Sequence, residues 1–167
     1  RCHTLKRDRT QRDRFIGALL RISRQAPSVL DEWLASADAG RQLLGLVLLL
    51  HRPREACALE RIDRLPIDRL SIPTADFAAH AIKRQLARLA QLPVEDRRLH
   101  SGCCIALLGR FAQGPQHTRA TLRQVQGRLL TLLNASSGDA ELVAQLEALI
   151  DGLPDAKRLL RRYAEEL

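Results

Sequence analysis

Apolar residues recur every three or four positions along most of the chain, which is the period of an amphipathic α-helix. Proline, glycine and capping side chains interrupt the pattern and divide the chain into about seven or eight helices, besides a turn or two over 55–62. The first helix has an apolar stripe that begins at Phe15 and ends before Pro27. The later predicted helices cover residues 28–37, 39–51, 75–92, 95–112, 117–134, 140–152 and 155–167.

Two of the predicted helices contain segments that are apolar on every side. These segments are LLGLVLLL at 43–50 and the run from Gly102 to Gly109. A helix without a polar face needs neighbours on several sides. We therefore predict that both helices lie at the centre of the fold.

Short polar residues precede four of the helices and are candidate N-caps. Ser28, followed three residues later by Asp31, matches a capping box. Asp38, Thr74 and Asp139 each stand directly before an apolar helical pattern. Their side-chain oxygens are expected to accept hydrogen bonds from first-turn backbone N–H groups.

The helical pattern breaks in the stretch ERIDRLPIDRLSIPTAD. Its isoleucines at 62, 67 and 72 are five residues apart, and Pro66 and Pro73 punctuate it. A proline moves the residue before it out of the α region. We therefore predict a non-helical crossing over 63–74 whose Leu and Ile side chains pack against helices.

A weak internal repeat relates two parts of the second half. IKRQLARLAQLP at 82–93 aligns with VQGRLLTLLNAS at 125–136, and ALLGRF at 106–111 aligns with ALIDGL at 148–153. In period and apolar placement, residues 75–153 resemble HEAT and armadillo repeats. The resemblance implies a right-handed α-solenoid-like stack of helix pairs. An irregular multi-helix bundle is the alternative.

The composition fits one helical domain over residues 1–167 with an aliphatic core. Apolar residues make up 46% of the chain and aromatic residues only 3%. The chain begins with Arg1 and contains no Met, so we expect it to be part of a larger protein, and we expect a bacterial one. The longest apolar run has eight residues, whereas a membrane span needs about 20.

The net charge of +8 is concentrated at the N-terminus. Residues 1–24 contain eight basic and two acidic residues. Residues 1–14 are interpreted as a charged arm, a linker remnant or the solvated end of a helix. Arg7, Arg14 and Arg21 are seven residues apart and would share one helical line. The candidate partner-binding residues are Arg7, Arg9, Arg12, Arg14, Arg21 and the single tryptophan, Trp33, which core packing would also explain.

Two basic pairs later in the chain are candidates for phosphate contacts. Arg84 with Arg88, and Arg119 with Arg123, are each four residues apart. If their helices stack side by side, the pairs could line one wall of a groove. HEAT-like DNA glycosylases resemble such a basic helical cradle, but this chain has almost no aromatic residues to match theirs. The resemblance therefore implies nucleic-acid binding at most.

No catalytic or cofactor motif is present in the sequence. Phosphate-binding glycine loops, CxxC, HExxH and GxSxG are all absent. His100 and Cys104 have a two-ligand spacing for zinc, which would need Cys57 or His51 as well. Because Cys103 and Cys104 lie in an apolar run, buried and unreactive thiols are the simpler interpretation. We predict a protein without enzymatic activity, cofactor or metal.

These observations favour a non-catalytic helical protein-interaction module with a regulatory or scaffold role. The expected partner is an acidic protein surface or peptide segment. A basic helical-repeat domain that binds nucleic acid is the alternative. Unbridged cysteines favour a cytoplasmic location.

Overall fold

The computed structural model describes the backbone of residues 2–50 and 57–153, with side chains except at 2–9, 23, 27, 49, 57 and 58. These ranges contain nine α-helices and no strand, which confirms the all-α prediction. The predicted helix over 155–167 lies outside the described residues. The helices are α1 (Cys2–Gln25), α2 (Pro27–Ala35), α3 (Ala39–Leu49), α4 (Cys57–Arg64), α5 (Ile72–Leu89), α6 (Val94–Gln113), α7 (Gln116–Thr121), α8 (Gln126–Ala135) and α9 (Ala140–Asp151).

Helices α3, α5 and α6 form the centre of the fold. Helix α6 packs against α4, α5, α7 and α9, and α3 packs against α1, α2, α4 and α5. The central positions predicted for 43–50 and 102–109 are therefore confirmed. Helix α5, which also contacts α7 and α8, is equally central. Its buried alanines allow close approach of these neighbours; they are Ala75, Ala78, Ala79 and Ala81.

Two of the predicted N-caps are confirmed by hydrogen bonds. Asp38 Oδ1 accepts from the backbone N–H of Arg41 at 2.7 Å, at the start of α3. Asp139 Oδ1 accepts from the backbone N–H of Leu142 at 3.1 Å, at the start of α9. Each carboxylate satisfies a first-turn donor that has no partner within its helix.

The other two predicted caps are wrong, and proline explains both errors. Helix α2 begins at Pro27 after Ala26, and no side chain caps it, so Ser28 is inside the helix. Helix α5 begins at Ile72 and is capped by Ser71, whose Oγ accepts from the N–H of Thr74 at 3.3 Å. Proline is accepted in a first helical turn because the N–H that it lacks would have no intrahelical partner.

The non-helical crossing is shorter than the predicted 63–74. Helix α4 continues to Arg64 and α5 starts at Ile72, so the connection is 65–71, with a 3₁₀ turn at Ile67–Arg69. As expected, its apolar side chains are buried; they are Leu65, Ile67 and Leu70. Side chains of other elements donate hydrogen bonds to its carbonyl oxygens. Arg110 Nη2 donates to Leu65 O at 2.9 Å, and His117 Nε2 donates to Leu70 O at 2.8 Å.

The helix predicted over 117–134 is in fact two helices. Helix α7 ends at Thr121, a 3₁₀ turn occupies Leu122–Gln124, and α8 begins at Gln126. Leu122 and Val125 at this break are fully buried, so the 3₁₀ turn keeps apolar side chains in the core. The break falls in the second predicted repeat unit. The HEAT-like resemblance over 75–153 stays a prediction.

Asp139 joins the start of α9 to α6. Arg98 Nη2 donates to its Oδ1 at 2.7 Å, and Arg98 Nε donates to its Oδ2 at 3.0 Å. These hydrogen bonds from Arg98, together with the N–H of Leu142, lower the pKa of the Asp139 carboxyl from its usual value. The fold therefore favours the ionised form of this carboxyl.

We predict that Asp139→Asn weakens the dependence of stability on pH in the acid range. Because the pKa of Asp139 is lower in the folded state than in the unfolded chain, ionisation of this carboxyl stabilises the fold. The contribution is complete above the unfolded-state pKa of about 3.9, and it is lost as the pH falls through the folded-state pKa. Asn can still cap α9 but does not titrate. Thermal unfolding followed by circular dichroism between pH 5 and pH 2 measures the effect. Glu147→Gln removes an exposed carboxyl from α9 as the control. Equal flattening in both variants would contradict the prediction.

Candidate interaction surfaces

Helix α1 presents a mixed apolar and basic surface to solvent. Phe15 is 50% exposed and Ile22 is 44% exposed, and they are seven residues apart. Arg14 and Arg21 are also exposed and seven residues apart. Positions 14, 15, 21 and 22 therefore form one continuous patch, called here the α1 outer face. The adjoining side of α1 is anchored in the core by Ile16 and Leu19.

The N-terminal segment belongs to this helix. Residues 2–14 continue into α1 without a break, so the backbone over this range is helical. Arg7 lies seven residues before Arg14 and so falls on the same helical line. The side chains of Arg7 and Arg9 lie outside the described residues.

Ion pairs hold the inner side of α1 against α5. Arg12 Nη2 lies 3.0 Å from Asp76 Oδ2, and Asp13 Oδ1 lies 3.3 Å from Arg84 Nη1 and 3.4 Å from His80 Nε2. Such partly exposed pairs contribute only about 0–1 kcal/mol each. Their main consequence is geometric, because they connect α1 to α5 at points distant in sequence. Arg12 and Arg84, both candidate ligand contacts in the sequence, thus have partners within the protein.

Aromatic contact adds to this attachment. The rings of Phe15 and Phe77 pack edge to face, with centroids 5.5 Å apart and an interplanar angle of 73°. Phe15 thus lies between α5 and solvent, and half of its surface remains available. Trp33, the apolar residue that the sequence suggested for partner binding, is partly buried and packs against the hydrophobic core.

A second basic surface lies where α5 meets α8. Lys83 from α5 and Gln124, Gly127 and Arg128 around the start of α8 line a cleft of about 380 Å³. We call it the Lys83 cleft. The carboxylate of Asp76 accepts a hydrogen bond from the Gln124 amide and also pairs with Arg12.

The four arginines predicted to contact phosphate are distributed over two sides of α5. Helix α5 does pack against α7 and α8, as a shared groove requires. Arg119 and Arg123 are exposed on α7 and on the 3₁₀ turn after it. Arg84 meets α1, and Arg88, one turn later, is exposed. Lys83 is the basic residue of α5 at the contact with α8, and Arg128 of α8 lines the same cleft.

Sequence reasoning missed Lys83 and Arg128 because it treated 117–134 as one helix. With the 3₁₀ turn in between, the spacing of Arg119 and Arg123 does not show which residues of α8 share their face. No pair spacing within one helix links Lys83 to Arg128, since the two residues are 45 positions apart. Only the packing of α5 on α8 brings them together.

The cysteines of α6 lie in a setting that suppresses thiol chemistry. Cys103 and Cys104 are both free and buried. Burial raises the pKa of the Cys103 thiol, and it raises the pKa of Cys104 to about 12. A thiol in this state is protonated at neutral pH and is a poor nucleophile and metal ligand. Within 2–50 and 57–153, no group of three or more His, Cys, Asp or Glu residues is placed to hold a metal ion.

A zinc site at His100 and Cys104 would need His51 or Cys57 as a further ligand. His51 and the side chain of Cys57 lie outside the described residues. For the helices that the structure describes, none combines the length and apolar character needed to cross a membrane.

Comparison of the chain with protein-family models, with curated proteins and with solved structures finds no match. The α1 outer face and the Lys83 cleft are therefore the candidate functional surfaces of the described residues.

Proposed function

We propose that this chain is a non-catalytic helical interaction module that binds an acidic, amphipathic helix of a partner protein on the α1 outer face. The observation that carries the proposal is the pairing of two exposed apolar side chains with two exposed arginines at the same spacing. A regulatory or scaffold role in the cytoplasm fits this binding mode, and the free cysteines of α6 support a reducing compartment.

The spacing of the patch defines the geometry of the partner. Seven residues of α-helix span about 10.5 Å, or nearly two turns. An α-helix that lies along α1 would therefore place apolar residues seven apart on Phe15 and Ile22. Acidic residues with the same period would meet Arg14 and Arg21. This is the pairing logic of coiled coils, with an apolar seam and flanking charges that select the partner.

Charge complementarity explains why the partner should be acidic. Arg14 and Arg21 have no ion pair among the described residues, and the chain as a whole carries a net charge of +8. An acidic partner is attracted over long range by this field, and a basic one is repelled. The apolar pair then supplies short-range stabilisation, because Phe15 and Ile22 lose contact with water on binding.

The test uses a fluorescent helical peptide of about 21 residues with Leu at the seam positions and Glu at the flanking positions. We predict that Phe15→Ala/Ile22→Ala weakens binding at least about tenfold, as expected for loss of apolar anchors. Arg14→Gln/Arg21→Gln should also weaken it, most strongly at low salt. Fluorescence anisotropy gives the dissociation constants. Alanine and glutamine are good helix formers, so α1 should be retained.

A second peptide with Lys in place of Glu is the control for charge. It should bind much more weakly than the Glu peptide to the wild-type protein. Equal binding of the two peptides, or unchanged binding by the Phe15→Ala/Ile22→Ala variant, would refute an acidic helix as the ligand of the α1 outer face.

A further inference from the structure

The Lys83 cleft is formed by elements that are distant in sequence but packed together. Helix α5 contacts α7, α8 and the 3₁₀ turn between them. Lys83 reaches the cleft from α5, while Gln124, Gly127 and Arg128 reach it from the other side. Its volume is about 380 Å³.

Among the described residues that line the cleft, the charged side chains are all positive. Lys83 and Arg128 are exposed, and neither has an ion pair within the described part of the chain. The neighbouring carboxylate, Asp76, is already paired with Arg12 and accepts a hydrogen bond from Gln124. It is therefore partly neutralised. The cleft combines two free cations with the amide of Gln124 and presents a surface suited to an anion.

Glycine at position 127 leaves this surface open. Apart from its chain neighbours and the backbone of its own helix, no heavy atom lies within 4 Å of the place that a Cβ would occupy on Gly127. A ligand can therefore approach the backbone of α8 between Gln124 and Arg128. The carbonyl of Gly127 also accepts a hydrogen bond from Thr131 Oγ1 at 2.9 Å.

Two further exposed arginines precede the cleft in sequence. Arg123 is adjacent to Gln124, and Arg119 lies one helical turn before Arg123. Several exposed cations suit a ligand with several anionic groups in series. Another cleft among the described residues contrasts with this arrangement, because Glu60 lines it together with Arg61 and Arg64 and offsets their charge.

We propose that the Lys83 cleft, together with the neighbouring Arg123 and Arg119, binds the phosphodiester backbone of a nucleic acid. Lys83 and Arg128 would contact one phosphate in the cleft, and Arg123 and Arg119 would contact its neighbours. The described residues that line the cleft include no aromatic side chain, and the proposed contacts are to phosphates, so recognition is independent of sequence. The site is separate from the α1 outer face and does not depend on the function proposed for that face.

The test measures binding of a fluorescent single-stranded oligonucleotide of mixed sequence, about 20 nucleotides long, across a range of NaCl concentrations. For the wild-type protein, the logarithm of the association constant should fall linearly with the logarithm of the salt concentration. The variant Lys83→Gln/Arg128→Gln should bind roughly tenfold more weakly at low salt, with a slope less steep by about 1.4, because each lost contact removes about 0.7. Gly127→Glu, which adds a carboxylate to open space, should weaken binding without removing a cation.

A charge-matched variant separates a localised site from a diffuse field. Arg14→Gln/Arg21→Gln removes two positive charges from the α1 outer face and should leave oligonucleotide binding close to the wild-type value. Equal losses in the two double variants, or a flat salt dependence, would overturn the proposal. Displacement of the oligonucleotide by an equal concentration of inorganic pyrophosphate would instead assign the cleft to free phosphate compounds. Because the two double variants affect different probes, failure here leaves the acidic-helix proposal separately testable.

Discussion

Phe111→Ala is expected to lower the free energy of unfolding by about 3–5 kcal/mol. Phe111 is 0% exposed and lies on α6, one of the central helices. Removing its ring would leave a cavity in a core that otherwise consists mainly of Leu, Ile, Val and Ala. Urea unfolding followed by circular dichroism gives the free energy, and an unchanged m-value would show that the effect is on stability alone.

Phe15→Ala is the matched control for this loss. The same ring is deleted, but half of the Phe15 surface is already exposed to solvent. The destabilisation should therefore be clearly smaller than for Phe111→Ala. A loss at Phe15 as large as the loss at Phe111 would contradict the assignment of α6 to the centre. It would also show that Phe15 supports the fold and cannot serve as a free docking residue.

The helices could be predicted from the sequence because their signals are local. A 3.6-residue apolar period and a carboxylate directly before the first turn lie within a few residues of one another. This is why Asp38 and Asp139 were identified as caps. The errors at Ser28 and Thr74 arose from one assumption, that Pro27 and Pro73 stand outside helices. In both cases proline occupies the first turn.

Burial by small residues was harder to predict. The large apolar side chains of α5, at Ile82, Leu86 and Leu89, mark one inward face, but alanines bury further sides of that helix. Alanine contributes little to an apolar pattern, because it is common on both buried and exposed helical surfaces. Its role at positions 75, 78 and 79 depends on which neighbours approach, and that is decided by the tertiary packing.

The two candidate surfaces also differ in how far they can be predicted from local sequence patterns. The α1 outer face lies on one helix, so Arg14 and Arg21 could be identified from their spacing. The Lys83 cleft requires α5 and α8 to meet, and the pairing of Arg12 with Asp76 requires α1 to meet α5. The sequence gives the charges, and packing decides which of them are paired and which remain free for a ligand.

The contact between the 65–71 crossing and the end of α6 leads to a second large effect, at Gly114. This residue follows α6 and adopts φ −80° and ψ −173°, an extended conformation that any residue can adopt. A side chain there would nevertheless overlap the Cγ2 methyl of Ile67 and Oγ1 of Thr118. Both neighbours are buried, so neither can turn out to solvent. The requirement for glycine is therefore steric.

Gly114→Ala should lower the free energy of unfolding by about 1–3 kcal/mol, the usual range for overpacking a core. Gly109→Ala is the control, since it adds the same methyl group within α6 at a place with no heavy atom within 4 Å. It should raise stability by about 0.5–1 kcal/mol, because alanine restricts the unfolded chain and favours the helix. Urea unfolding of both variants compares them directly. If Gly114→Ala were as stable as Gly109→Ala, the crossing would not be packed against α6 in the way that these contacts require.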